Sequence, residues 1–282
     1  MSERTTLNFL ATYAPSRALQ FLRYHREHLH VTGRSKLRSR SPSVVFFTTH
    51  KSASTLMDKL LVDVNRRYLN LKPLDLAAYF WDTRSDPIYP YLRDHATSLI
   101  ADRGGLYAPL RQYIDVEHLD RAKVFAMLRD PRDKIVSGYF SVRFSHRSPN
   151  NGLRRKNFQS SRRNADELTI DEYALQQAPI VKEVYCAYRK NLDRDVVLTY
   201  EQMWHDFDSW ARCLASRLDV SFTQDDVARY RKMAGVDEQR SENQHSHRRR
   251  GMPGDYLNKL SPAVIEQLNE VFADELNWLY QA

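Results

Sequence analysis

A change of hydrophobic period between residues 43 and 68 narrows the fold more than any other feature. Ser43 to Thr49 reads Ser-Val-Val-Phe-Phe-Thr-Thr, a β-branched and aromatic run suited to a strand buried on both faces. Leu56, Leu60, Leu61, Val64 and Tyr68 then recur at helical spacing, behind a short stretch of Ser and Thr. Strand, tight polar turn and helix thus follow in order. A second unit opens at Lys123 to Leu128, where Val-Phe-Ala-Met-Leu reads as another buried strand. Asp130 and Pro131 supply the N-cap and first-turn proline of a helix running through Ile135, Tyr139 and Phe140. A third strand is predicted at Val196 to Tyr200. Buried strands interleaved with helices imply an α/β fold, a single domain with a central parallel sheet flanked by helices.

The 282 residues suffice for one such domain. Residues 43–282 are expected to form it, and residues 1–42 a basic N-terminal helical extension, with eight Lys or Arg and loosely helical apolar spacing from Leu7 to Leu29. Residues 143–165 carry seven Lys or Arg, no acid, and Pro149-Asn150-Asn151-Gly152 in their middle, and are predicted to be a long basic loop. Gln239 to Arg250 is similarly polar and ends in His-Arg-Arg-Arg. Ser261 and Pro262 start an amphipathic helix through Ile265, Leu268, Phe272, Leu276 and Leu279.

The formal charge is +8, which favours polyanionic ligands without choosing among nucleotides, nucleic acid and acidic lipid. Two cysteines, Cys186 and Cys213, both in predicted helices, argue against a disulfide framework or a Cys-rich zinc site. No apolar run approaches the roughly 18 to 20 residues of a spanning helix, and no signal peptide is recognisable. The expectation is a soluble, cytoplasmic protein.

Thr49-His50-Lys51-Ser52-Ala53-Ser54-Thr55 sits where a buried strand meets a helix N-terminus. Small residues there let backbone N–H groups approach an anion, the helix end adds partial positive charge, and Lys51 and the hydroxyls add donors. The segment is not a Walker A loop, since it lacks glycine and its lysine comes first, which demotes a nucleotide kinase or NTPase.

Lys51-Ser52-Ala53-Ser54-Thr55 resembles the Lys-Ser-Gly-Thr-Thr phosphosulfate-binding loop of sulfotransferases that use 3′-phosphoadenosine 5′-phosphosulfate (PAPS). Ala53 stands in place of the glycine, which suits a backbone of ordinary negative φ. Arg129-Asp130-Pro131-Arg132-Asp133, with Ser137 beyond it, resembles the family's 3′-phosphate segment. Arg249-Arg250-Gly251-Met252-Pro253-Gly254-Asp255-Tyr256 resembles its Arg-Lys-Gly-x-x-Gly-Asp-Trp element, and Val197-Leu198-Thr199-Tyr200 the strand whose tyrosine lies near adenine. The three main segments keep the family's order between residues 43 and 256.

The resemblance implies a P-loop-like sulfotransferase fold and sulfuryl transfer from PAPS to a hydroxyl or amine of a small-molecule, lipid or carbohydrate acceptor, leaving PAP and requiring no metal. It assigns Lys51, Ser52, Ala53, Ser54 and Thr55 to the phosphosulfate, and Arg129, Ser137, Arg249, Arg250 and Gly251 to the 3′-phosphate. Tyr200 goes to adenine. Leu106-Tyr107-Ala108-Pro109 stands where many members place a histidine, which offers Tyr107 either as proton acceptor, given a strongly lowered pKa, or as a residue that only orients the acceptor. His50, beside Lys51, and Asp58, on the first helix, are rivals, and the sequence leaves the general base unassigned. A basic nucleic-acid-binding module is the competing class, but residues 143–163 and the His-Arg-Arg-Arg tail interleave only Phe144 and Phe158 with their charges.

Overall fold

Each residue of the first predicted strand, Ser43 to Thr49, is buried, and Val44 to Thr48 are observed as strand, because a strand at the centre of a sheet covered on both faces has no solvent side. The computed structural model describes residues 22–84, 87–145, 152–238 and 251–281. Five strands form one parallel sheet: β1 (Val44–Thr48), β2 (Lys72–Leu74), β3 (Gly105–Leu110), β4 (Lys123–Leu128) and β5 (Val197–Thr199), in the order β2-β3-β1-β4-β5. β1 pairs with β4 from Val44 opposite Lys123 to Thr48 opposite Met127, so both strands end at one edge. β1 has β3 on one side and β4 on the other, and the chain crosses over β1 between them; such a switch point opens a crevice beyond the strands' C-terminal ends.

Among the described residues the α-helices of six or more residues are α1 (His25–Val31), α2 (Ser54–Val64), α3 (Leu76–Thr83), α4 (Ile88–Leu99), α5 (Pro131–Phe140), α6 (Gly152–Glu167), α7 (Ile170–Asn191), α8 (Tyr200–His205), α9 (Phe207–Leu218), α10 (Gln224–Ala234), α11 (Pro262–Val271) and α12 (Ala273–Tyr280). The two-residue period of β1 separates two cores. Val45 and Phe47 pack with residues of α3, α4, α5 and α7, while Val44 and Phe46 pack with those of α2, α9 and α10. Full burial of such side chains stabilises the fold by about 1.5–3 kcal/mol each. Among the described residues no helix is long and apolar enough to cross a membrane.

Several sequence expectations are corrected. β2 and β3 were not predicted. The third strand stops at Thr199, whose hydroxyl accepts the Gln202 N–H at 3.1 Å and so turns Tyr200 into the first residue of α8. The basic segment 143–165 is largely the helix α6. It lacks an apolar stripe but is tied down by Arg162 Nε donating to the Val142 carbonyl at 2.9 Å and by Arg143 pairing with Asp166 at 3.2 Å. The predicted C-terminal helix breaks at Phe272, a fully buried residue with φ −99° and ψ 13°. Of the helix expected over residues 7–29, residues 7–21 lie outside the described residues, as does Gln239 to Arg250. In α1's first turn, Glu27 is buried and accepts the Asp75 N–H at 3.0 Å, fastening this segment to the end of β2.

Candidate active site

At the end of β1 the chain turns within five residues before α2 begins. Thr49 and Ser52 share a hydrogen bond between hydroxyls at 2.7 Å, which fixes the turn from inside and leaves the Ser52 side chain buried. Lys51 has φ 73° and Ala53 has φ 58°, both left-handed. The condition under which alanine would fit without strain, an ordinary negative φ, is therefore not met: the turn keeps the conformation glycine would adopt, and the methyl group is carried at a cost. Alternation of left-handed and ordinary residues directs successive N–H groups into an anion-sized concavity, here at the N-terminus of an eleven-residue helix.

The second anion element stands at the end of β4. Asp130 caps α5 through the Arg132 N–H at 2.9 Å and also holds the Arg132 guanidinium, which leaves Arg129 free of it. Arg129 is 5% exposed, pairs with Asp133 at 3.1 Å, donates to the Met252 carbonyl at 3.1 Å, and lies over the Tyr200 ring at 4.5 Å. Burial opposes its charge, but Asp133, Tyr200 and Glu201 outweigh it and keep the guanidinium protonated. Its Nε is buried without a hydrogen-bond partner among the described residues, an unmet donor at the place an anion site requires. Behind it, Glu201 accepts the Asp130 N–H at 3.0 Å, and burial pushes its carboxyl up to about 7.

Residues that the sequence reading missed hold these two elements in place. On α7, Tyr185 donates to the Arg129 carbonyl and Tyr188 to the Thr48 carbonyl, each at 2.5 Å. Asp133 accepts the N–H groups of Gly254 and Tyr256 at 2.8 and 2.9 Å and straps the C-terminal segment over the site. Gly251, at φ 78°, accepts a hydrogen bond from the Tyr200 hydroxyl, and a Cβ there would lie 3.3 Å from the Trp204 ring. The tyrosines' three-residue spacing on a helix was a visible signal, but its target was not.

His50, Lys51, Ala53, Ser54, Thr55, Arg129, Ser137, Tyr200 and Gly251 all line one cavity of about 1800 Å³ at the C-terminal edge of the sheet. That exceeds the roughly 300–1,000 Å³ of a pocket for one small ligand, so two can be accommodated. Tyr107 is not there. Its side chain folds back over Gly105 into the core, where its hydroxyl accepts the Ala101 N–H at 2.9 Å, and burial pushes it up to about 12. It is a core tyrosine, and its candidacy as proton acceptor is withdrawn. Asp58, on α2, does not line the cavity either, whereas His50 is exposed on its wall. Arg249 and Arg250 lie outside the described residues.

A parallel α/β sheet with an anion cradle after its central strand and a buried arginine after the next one defines a P-loop-like nucleotide-binding protein. More narrowly, the chain belongs to the sulfotransferase family: the sulfotransferase-domain family model matches residues 114–279. That span holds Arg129, Ser137, Tyr200 and Gly251, and the pairing of β1 with β4 brings the earlier Lys51 turn to them. Among solved structures, mouse sulfotransferase SULT7A1 complexed with PAP is similar at TM-score 0.53 and 13% identity, over 90% of this chain and 89% of that one. Retinol dehydratase in a complex with retinol and PAP gives 0.46 and 17%, over 85% and 82%. Sulfotransferase STF9 from Mycobacterium avium gives 0.42 and 14%, over 93% and 81%. No curated protein sequence matches significantly.

Proposed function

We propose that this sulfotransferase takes its sulfuryl group from PAPS, releases PAP, and holds the donor between the Lys51 turn and Arg129. The observation that carries the reading is that these two side chains line one cavity although 78 residues of chain, 51 to 129, separate them. When bound, PAPS supplies the activated sulfuryl group. The N–H groups of residues 51–55 and the Lys51 ammonium stabilise charge on the oxygens around the reacting centre, each well-placed donor being worth a few kcal/mol. Arg129, with its unmet Nε, and Ser137 hold the 3′-phosphate, and Tyr200 with Trp204 flanks the base. Arg249 and Arg250, directly before Gly251, are assigned to the same phosphate by their place in the motif.

His50 is the proposed proton acceptor for the incoming hydroxyl or amine, being exposed on the cavity wall next to Lys51. The unpaired Cys186 and Cys213 support a reducing, cytoplasmic compartment. Incubation with radiolabelled PAPS and fractionated cell extract is expected to yield labelled acceptor and an equal amount of PAP. Unchanged PAPS with every fraction, from protein that also fails to bind PAP, would overturn the reading.

A further inference from the structure

The donor-binding residues occupy one half of the cavity, and the other half is unusually basic. Its wall is built by α3, α4, the end of β3 and α6, and contributes Arg93, Arg111 and Arg154. Among the described residues the one carboxylate on this wall is Asp82, which is already engaged by the Tyr24 hydroxyl at 2.6 Å and by Arg23 at 3.4 Å. None of the three arginines has an ion-pair partner among the described residues.

Arg154 is the most telling of the three. It is 7% exposed, stacks on Trp81 at 4.1 Å, and donates from one terminal nitrogen to the Arg84 carbonyl at 2.6 Å. Its other terminal nitrogen, Nη1, is buried with no hydrogen-bond partner among the described residues, and burial depresses the guanidinium's proton affinity. A buried guanidinium that hydrogen-bonds only carbonyls, and whose desolvation outweighs the attraction of Asp82, is a cost to the folded chain that a bound anion would offset. Arg111 stands at the inner end of the same wall. The carboxyl acting on it is Asp75, which burial pushes up to about 7 and so weakens as a counter-charge near neutral pH. Between these charges lie Trp81, Phe140, Phe158 and Tyr173, an apolar lining for the body of a ligand.

We propose that the acceptor carries an anionic group of its own, a carboxylate, sulfate or phosphate ester, on an apolar body, and that Arg154 and Arg111 with Arg93 select it. This rests on the sulfuryl-transfer reading of the same cavity. A neutral alcohol would leave this wall with an excess of positive charge that Asp75 and Asp82 only partly offset, whereas an anion gains charge-assisted hydrogen bonds that a neutral analogue cannot make.

The test uses the full chain saturated with PAP, so that donor-site binding is established first in every sample. Hydroxyaryl alkanoic acids and their methyl esters are titrated as matched pairs by calorimetry, with hydroxyaryl sulfates and phosphate monoesters as further arms that separate the three anions. The acids are expected to bind about tenfold or more tightly than their esters. Arg154→Gln should abolish that preference while PAP affinity is unchanged. Because Arg154 is buried, Arg93→Gln on the exposed part of the wall is the second variant, and should reduce the preference without disturbing the fold. Equal binding of acid and ester, or binding of neither, by PAP-loaded protein overturns the proposal and leaves the donor assignment standing. Failure to bind PAP at all would instead count against the donor site.

Discussion

From the middle of α7, the Tyr185 hydroxyl reaches the carbonyl of Arg129 at 2.5 Å, the residue where β4 gives way to the turn before α5. One helical turn on, Tyr188 makes the same contact with Thr48 at the end of β1. A single rigid helix thereby sets the separation of the two strand ends whose turns form the anion sites. Both hydroxyls are buried, and burial raises both far above the ordinary tyrosine value, so they act as neutral donors at any working pH.

Tyr185→Phe leaves the Arg129 carbonyl without its donor in a dry environment, at a cost of about 1–3 kcal/mol. Lower stability in urea and a several-fold weaker affinity for PAP are expected together, because the same carbonyl anchors the arginine's backbone. Tyr188→Phe should act likewise through Thr48. If stability falls but PAP affinity does not, the tyrosines are core residues without a role in spacing the site.

Arg129 is the residue that distinguishes a 3′-phosphorylated nucleotide from other adenine nucleotides in this reading. PAP should raise the melting temperature well above the shift produced by ADP, and Arg129→Ala should make the two shifts equal. The variant is expected to fold, because Asp133 keeps two backbone donors, from Gly254 and Tyr256, when the guanidinium is removed. Equal shifts in the wild-type protein would disconnect Arg129 from the 3′-phosphate.

What the sequence revealed, and what it hid, follows from how local each signal is. β1, β4 and β5 announced themselves because a buried strand needs a run of apolar residues, which Val-Val-Phe-Phe and Val-Phe-Ala-Met-Leu supply. β2 is three residues, Lys-Pro-Leu, and β3 contains both a glycine and a proline, so neither carries a strand pattern; β2 tolerates its proline as an edge strand. The sequence of α6 reads as a loop because it is polar almost throughout, with Leu153 and Phe158 too few to mark an apolar stripe. The Lys51 turn and Arg129 were legible from their motifs. Asp133 as a strap and the α7 tyrosines were not, since their partners lie 50 or more residues away in sequence.

Ala53 is a residue whose backbone conformation suits a different side chain. A left-handed φ costs a non-glycine residue about 1–2 kcal/mol, and glycine returns about 0.5–1 of that through its larger unfolded-state entropy. Ala53→Gly should therefore stabilise the protein by up to about 1 kcal/mol, a rise of a few degrees in melting temperature. Ala53→Val should do the opposite, since a β-branched residue fits that conformation worst. Urea denaturation of the three proteins gives the order directly, and any order other than Gly, Ala, Val would mean that the turn relaxes around its side chain.

Lys134 provides the pH dependence. It lies on α5 one turn before Ser137, lines the same cavity, and burial alone lowers its amine from 10.5 to about 8. In the unfolded chain the amine stays protonated up to about 10.5, so between about pH 8 and that value the unfolded state binds more protons. Folding stability should accordingly rise with pH across that window as the folded protein sheds an unfavourable buried charge. Affinity for an anion should move the other way, because the charge that attracts it disappears above about pH 8, after the phosphates of PAP are already ionised near pH 6. Calorimetry from about pH 7 to about pH 9.5 should show PAP binding weakening, by at most tenfold per pH unit, with proton uptake on binding in the upper half of the range. Lys134→Met should flatten both profiles and weaken PAP binding at pH 7. The same slope in the variant as in the wild type would assign the proton to another group on the cavity wall.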